Sequence, residues 1–169
     1  MALRGDVVVL RPATPADLDA LAAVFAEPAV AAWWVGYDRA RVEREMLLDP
    51  DAAKAVFVVE VDGEVAGTIH GHEELDEEYK SAAIDIAIGT RWHGTGVAVD
   101  ALRTLARDLI EHRGHHHITI DPAAANARAI ACYAKVGFRP VGVLRQNERG
   151  ADGTFHDALL MDLLAGELT

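Results

Sequence analysis

Ser81-Ala82-Ala83-Ile84-Asp85-Ile86-Ala87-Ile88 stands two residues ahead of Arg91-Trp92-His93-Gly94-Thr95-Gly96, and Val97 then opens a run whose apolar positions Leu102, Leu105, Ala106 and Leu109 recur at helical spacing. Ala83, Asp85 and Ala87 alternate with Ala82, Ile84, Ile86 and Ile88, which is the period-two pattern of a strand. The glycine loop between strand and helix therefore brings unpaired N–H groups and the positive end of a helix to one point, where an anion would be held. Gly94 and Gly96 let the main chain approach phosphate oxygens, and Arg91 adds a charge-assisted donor. A P-loop would need Lys-Ser/Thr after its last glycine, and the dinucleotide fingerprint would need a third small residue where Val99 stands, so neither fits. The same letters also suit a glycine turn that merely opens a helix.

Downstream, His117 to Ile120 reads as a short strand and Asn126 to Val136 as a helix with Asn126 at its N-cap and Gly137 as its stop. Strands near Val141–Leu144 and Ala158–Leu164 follow, with a glycine-rich turn between them. Strand, helix, strand, helix in this order implies a crossover and a partly parallel sheet. Upstream, Ala55–Val61 and Val65–His72 flank Asp62-Gly63, a strong two-residue hairpin signal. Val7–Leu10 reads as a leading strand. Thr14-Pro15-Ala16-Asp17 opens a helix to about Ala26, and Asp38 caps another through about Leu48.

The 169 residues suit one domain, 1–169, with 51% hydrophobic and 25% charged residues. Lys and Arg number 16 against 27 Asp and Glu, a net charge of −11, which repels nucleic acid and anionic membrane and favours cationic partners. The imbalance lies wholly in residues 1 to 90, with seven basic and 18 acidic side chains, whereas residues 91 to 169 hold nine of each. One half suits a cation and the other an anion. No apolar run is long enough for a membrane helix and no signal pattern opens the chain, so a cytoplasmic protein is expected. The single cysteine, Cys132, agrees with a reducing compartment.

The spacing Asn126-x-x-Ala129-x-x-x-Tyr133-x-x-x-Gly137-Phe138, placed after Arg91-Trp-His-Gly94-Thr-Gly96, resembles the GNAT acetyltransferases along nearly the whole chain. The resemblance implies an α/β fold: a mixed, mostly antiparallel sheet in which two central parallel strands splay apart, with flanking helices. It implies acetyl-CoA as co-substrate, its pyrophosphate on the amides of His93, Gly94, Thr95, Gly96 and Val97, and its pantetheine arm on the backbone of Ile86 and Ile88. An N–H near Ile86 would also polarise the thioester carbonyl. By the same resemblance Asn126 contacts the coenzyme and Tyr133 protonates the departing thiolate. A phenol, with a pKa of about 10 against about 8.5 for a thiol, keeps its proton at neutral pH. Cys132, about 100° around the helix from Tyr133, is expected to point elsewhere.

Within that family the chain looks most similar to aminoglycoside 6'-N-acetyltransferases, through Trp33-Trp34 ahead of a glycine, Ile84-Asp85, and Asp121-Pro122 leading to Asn126 and Tyr133. The resemblance puts Asp85 and Asp121 at the acceptor amine, with Asp85 the first choice to orient it and accept its proton. Glu73 and Glu74 of the acidic run to Glu78, and Asp152 before Gly153, are weaker matches for the acceptor side. Carboxylates would attract the ammonium groups of a cationic small molecule while Trp33 and Trp34 cover its sugar faces. A peptide N-terminus, a polyamine or another small amine is the alternative acceptor. A CoA-binding protein without turnover is the alternative of another class, against which Tyr133 and Asp85 argue. The protein would act as a monomer or homodimer.

No metal is expected. Consecutive residues of His115-His116-His117 alternate faces on a strand, and His70-x-His72 has no Asp, Glu or Cys at a characteristic zinc spacing. His72 or His156 is expected instead to line the acceptor cleft.

Overall fold

Asp62 and Gly63 take φ values of +51° and +81° in the computed structural model, which describes residues 1–48 and 53–169, and so close the expected hairpin. The turn joins β3 (Lys54–Val61) to β4 (Glu64–Glu74), and β4 pairs along its length with β5 (Ser81–Ile88). Gly67 sits where β5 passes very close: a Cβ there would lie 2.0 Å from the Ala87 carbonyl oxygen, so any side chain would prise the ladder apart. β1 (Leu3–Arg4) and β2 (Val9–Pro12) extend this half of the sheet. β6 (His117–Ile120), β8 (Phe155–Leu164) and β7 (Arg139–Arg149) form the other half.

Among the described residues the eight strands make one sheet in the order β1-β2-β3-β4-β5-β6-β8-β7, antiparallel throughout except between β5 and β6. That parallel pair is in register only at Ala82 with Ile118 and Ala83 with Thr119. From Asp85 onward β5 has a paired edge toward β4 and an open one toward β6. The gap is the splay that the family resemblance implies.

Helices cover both faces. α4 (Val97–Glu111) packs Leu102, Leu105 and Leu109 with Ile84, Ile88 and Ile118 on one side, joined by Tyr133 of α5 (Ala127–Ala134). α1 (Leu18–Ala26), α2 (Pro28–Ala31) and α3 (Arg39–Val42), the last continued by a π-type turn to Leu47, pack against Val58 and Ala87 on the other. β5 alternates accordingly, so Asp85 and Ala87 face α1–α3 while Ile84 and Ile88 face α4.

Three local readings shift. The leading strand starts at Val9 rather than Val7, because the backbone N–H groups of Asp6, Val7 and Val8 donate to the buried Asp100 carboxylate at 2.8–3.0 Å. Gly5 makes this approach possible, since a Cβ there would meet Asp100 Oδ2 at 2.5 Å. The helix expected from Pro15 opens as a single 3₁₀ turn, Pro15–Asp17, where Asp17 accepts from Thr14 and is gripped by the Arg11 guanidinium. Arg11 holds the Asp17 carboxyl down to about 2. Glu73 and Glu74 are strand residues of β4, not loop. Among the described residues no helix is long and apolar enough to cross a membrane.

Candidate active site

A cavity of about 1000 Å³ runs through the splay between β5 and β6. The end expected to take the coenzyme is made largely of backbone. Gly94 and Gly96 have φ of +76° and +91°, and a Cβ on either would meet nothing within 4 Å, so both the conformation and the open space call for glycine. The His93 N–H donates to Thr90 and that of Thr95 to Trp92. The amides left to a ligand are therefore those of Gly94, Gly96 and the first turn of α4 from Val97. Residues at this end fit a pyrophosphate, and the cradle is narrower than the expected run from 93 to 97.

Side chains of the loop behave differently from the letters' promise. Arg91 is outside the cavity wall, its guanidinium 2.5 Å from Glu64 and lying over the Trp92 ring. Thr95 turns its hydroxyl to the Trp92 carbonyl. His93 lines the cavity and spans the splay: Arg128 donates to Nδ1 at 2.7 Å, so Nε2 carries the proton that it donates to the Ile88 carbonyl, also at 2.7 Å. Ile86 and Ile88 border the gap as expected, with the Ile88 oxygen already engaged.

On α5, Asn126 caps the helix through its side-chain oxygen to the Ala129 N–H at 3.2 Å and still borders the cavity, which leaves its NH₂ for a ligand. Tyr133 is buried at the cavity wall, and burial followed by the charges of Cys132, Asp85 and Asp121 raises its hydroxyl well above the ordinary phenol value. It stays protonated and able to donate. The expectation that Cys132 points elsewhere is corrected: it too borders the cavity, because α5 lies along the gap and offers neighbouring positions to it. Burial raises its thiol, so it is no ready nucleophile.

The acceptor end is made of side chains. Asp85, on the α1–α3 face of β5, stands 3.4 Å from His72 Nε2. Burial pushes its carboxyl up, yet His72, His70 and Lys54 together hold it below the ordinary value, and it is charged at neutral pH. Asp121 follows β6 and is raised, first by partial burial and then by Asp85. Asn147 donates to it at 3.2 Å. Trp33 is 39% exposed on the cavity rim, whereas Trp34 is shared between the cavity and a core of Phe25, Tyr37 and His70 rings.

The structure does not bring the remaining candidates here. Glu73 turns to Arg113 at 2.5 Å and the buried His115 at 2.7 Å, and neither it nor Glu74 borders the cavity. β4 runs past the site before reaching them. Asp152 accepts from His156 at 2.9 Å and lines an adjoining cavity of about 570 Å³, which shares Trp33, Glu148 and Arg149 with the first.

Two residues enter that the sequence reading does not single out, Tyr37 and Glu148, and Trp92 of the glycine loop takes a place the letters do not assign. Tyr37 lies under the Arg41 guanidinium, 4.0 Å from the ring centroid, and burial with the nearby Glu45 raises its hydroxyl to about 12. Glu148, raised by burial and by Asp121, comes from β7, and Trp92 closes the coenzyme end. No local spacing signals Tyr37 or Glu148, since each arrives from a different element.

A splayed parallel pair, an amide cradle at a helix start and a buried phenol beside the gap are the features that the resemblance to GNAT acyl-CoA-using transferases implies. Residues 8–139 match the model of the acetyltransferase (GNAT) domain, and the chain belongs to that family. It is an acetyl-CoA-dependent N-acetyltransferase. The chain is similar to an N-alpha-acetyltransferase of Sulfurisphaera tokodaii, 32% identical over 116 residues that span 63% of this chain and 67% of that one. Mycobacterium smegmatis RimJ in complex with CoA-disulfide is 26% identical and superposes with a TM-score of 0.82, covering 99% of this chain and 88% of the other. The aminoglycoside acetyltransferase AAC(6')-Ib, in complex with paromomycin and acetyl-CoA, is 27% identical with a TM-score of 0.77, covering 96% and 97%.

Proposed function

We propose that the acetyl group goes to a primary amine of a cationic aminosugar of the aminoglycoside class. One observation carries this reading: Asp85, Asp121 and Glu148 converge on the acceptor end opposite the Trp33 and Tyr37 rings, and the groove continues past Glu148 to Asp152. A row of carboxylates beside aromatic faces suits a molecule with several ammonium groups on sugar rings. Likeness to AAC(6')-Ib adds support.

In this reading Asp85 holds the acceptor amine and takes its proton as the nitrogen attacks the thioester carbonyl. The C–N bond forms, the C–S bond breaks, and the departing thiolate takes its proton from Tyr133. Amides at Gly94, Gly96 and the start of α4 hold the pyrophosphate, and Asn126 and the open edge of β5 steady the arm. The charge-rich half brings Asp85, Trp33 and Tyr37 to the acceptor end, while Asp121, Glu148 and Asp152 come from the neutral half, which also holds most of the coenzyme end.

A second reading, transfer to the α-amine of a peptide, is favoured by the relative named an N-alpha-acetyltransferase. Thiol release from acetyl-CoA against a panel of aminoglycosides, polyamines and short peptides separates the two. Release with aminoglycosides is the expected result. Release with peptides alone overturns the aminosugar reading and leaves the transferase standing.

A further inference from the structure

His70, His72 and Asp85 each present a ligand atom on one face of the sheet, and these atoms lie within 4.8 Å of one another. From this geometry we propose a site for a divalent transition-metal ion such as Zn²⁺ at the acceptor end. The backbone makes it. His70 and His72 are two apart on β4 and so share a face, and Asp85 is the register partner of His70 on β5. Sequence spacing within β4 cannot show the carboxylate, because it arrives from the next strand.

Side-chain detail suits an ion. His72 Nε2 and Asp85 Oδ2 are 3.4 Å apart, long for a charge-assisted hydrogen bond. It matches the edge, about 3.3–3.4 Å, of a tetrahedron with bonds of about 2.0–2.1 Å. The Thr68 hydroxyl has one proton, which it gives to the Phe57 carbonyl at 2.9 Å, so at 3.1 Å it must accept from His70 Nε2–H. The His70 tautomer is thereby fixed with a lone pair on Nδ1, for which no hydrogen-bond partner exists among the described residues. A ring N–H held by a neighbouring oxygen is the arrangement that fixes histidine ligands in metal sites. His70 is 3% exposed and held in place, while His72 is half-exposed.

Two histidines and one carboxylate leave a fourth position, and Asp85 borders the cavity where the acceptor amine must stand. The ion and the amine therefore compete. An ion on Asp85 removes the carboxylate from the amine and offers a Lewis acid that binds the amine's lone pair, which the attack requires. The site does not depend on which amine is the natural acceptor.

The test uses the full chain without a polyhistidine tag and Zn²⁺ alone, followed by calorimetry with a chelator as competitor. One ion per chain is expected, with affinity falling about tenfold or more in His72→Gln and in Asp85→Asn. Both positions are half-exposed, and folding of each variant is checked by thermal melting. His116→Gln with His117→Gln, a change to the other histidine cluster, should leave binding as it was. Zn²⁺ should also raise the KM for the amine and leave that for acetyl-CoA unchanged. Equal Zn²⁺ affinity in wild type and His72→Gln, loss of binding only with the His116 and His117 changes, or uptake of the ion with no rise in the amine's KM would each overturn the assignment.

Discussion

The two ends of one cavity are built from different material. At the end proposed for the coenzyme the groups open to a ligand are main-chain amides, positioned by two left-handed glycines and a helix start, and the loop's own charged side chain, Arg91, is engaged by Glu64. At the acceptor end the groups are side chains from β5, the β6 exit, β7 and the Trp33–Tyr37 segment. A backbone cradle is set by the fold and tolerates little change in its glycines, whereas a side-chain wall can be rewritten residue by residue without moving a strand. The same frame can therefore keep one donor and vary its acceptor.

Changes at the chemistry between the two ends should have the largest effect. Tyr133→Phe removes only the transferable proton, and kcat should fall by about 10² to 10⁴ with the acetyl-CoA constant nearly unchanged. Turnover at the wild-type rate, with chemistry shown to limit, would make Tyr133 a packing residue. Asp85→Asn should lower kcat for the amine by about 10² and spare coenzyme binding, measured by steady-state kinetics in both substrates.

The contrast sharpens at the glycines. Gly96→Val must hold a β-branched residue at φ of +91°, and its side chain would enter the space left for phosphate. The strain of about 1–3 kcal/mol should lower the melting temperature, and the side chain in the phosphate's space should weaken coenzyme affinity about tenfold to a hundredfold, about 1.4–2.8 kcal/mol, by calorimetry on folded protein. Amine affinity should hold. Unchanged coenzyme affinity would erase the distinction between the ends.

The smallest effect concerns acidity. Asp121 titrates above the ordinary aspartate value and Asp85 below it, so as pH falls Asp121 loses its charge first and Asp85 later. The amine's KM should rise about severalfold across the Asp121 step while kcat, which depends on charged Asp85, persists to lower pH. Asp121→Asn should remove the first step in a pH series. A KM profile that does not change in that variant would detach Asp121 from the acceptor.

Much of this was legible beforehand, for reasons that differ by residue. Ser81–Ile88, His117–Ile120 and the Asp62-Gly63 hairpin could be read because their signals are local: alternation, and a turn that only certain residues adopt. Gly94, Gly96, Asn126 and Tyr133, singled out by spacing and by family resemblance, border the cavity. Glu73 and Arg91 were misread because a charged side chain's letter gives its sign and not its partner, and both are committed to ion pairs across long stretches of chain. Glu148, Tyr37 and the His70–His72–Asp85 group depend on which strands and helices become neighbours, and no single segment records that.

Asp100 lies one turn into α4, so the helix whose first amides face the coenzyme also reaches back, through one carboxylate, to the main chain of Asp6, Val7 and Val8. If those amides hold the coenzyme as proposed, the amino-terminal segment braces that cradle through Asp100. Trimming it would strand a buried carboxylate beside the cradle, and each buried group left without its partner costs about 1–3 kcal/mol. Removal of the residues before Val9 should therefore be felt first as weakened hold on acetyl-CoA, at a place in the chain where engineers ordinarily expect freedom.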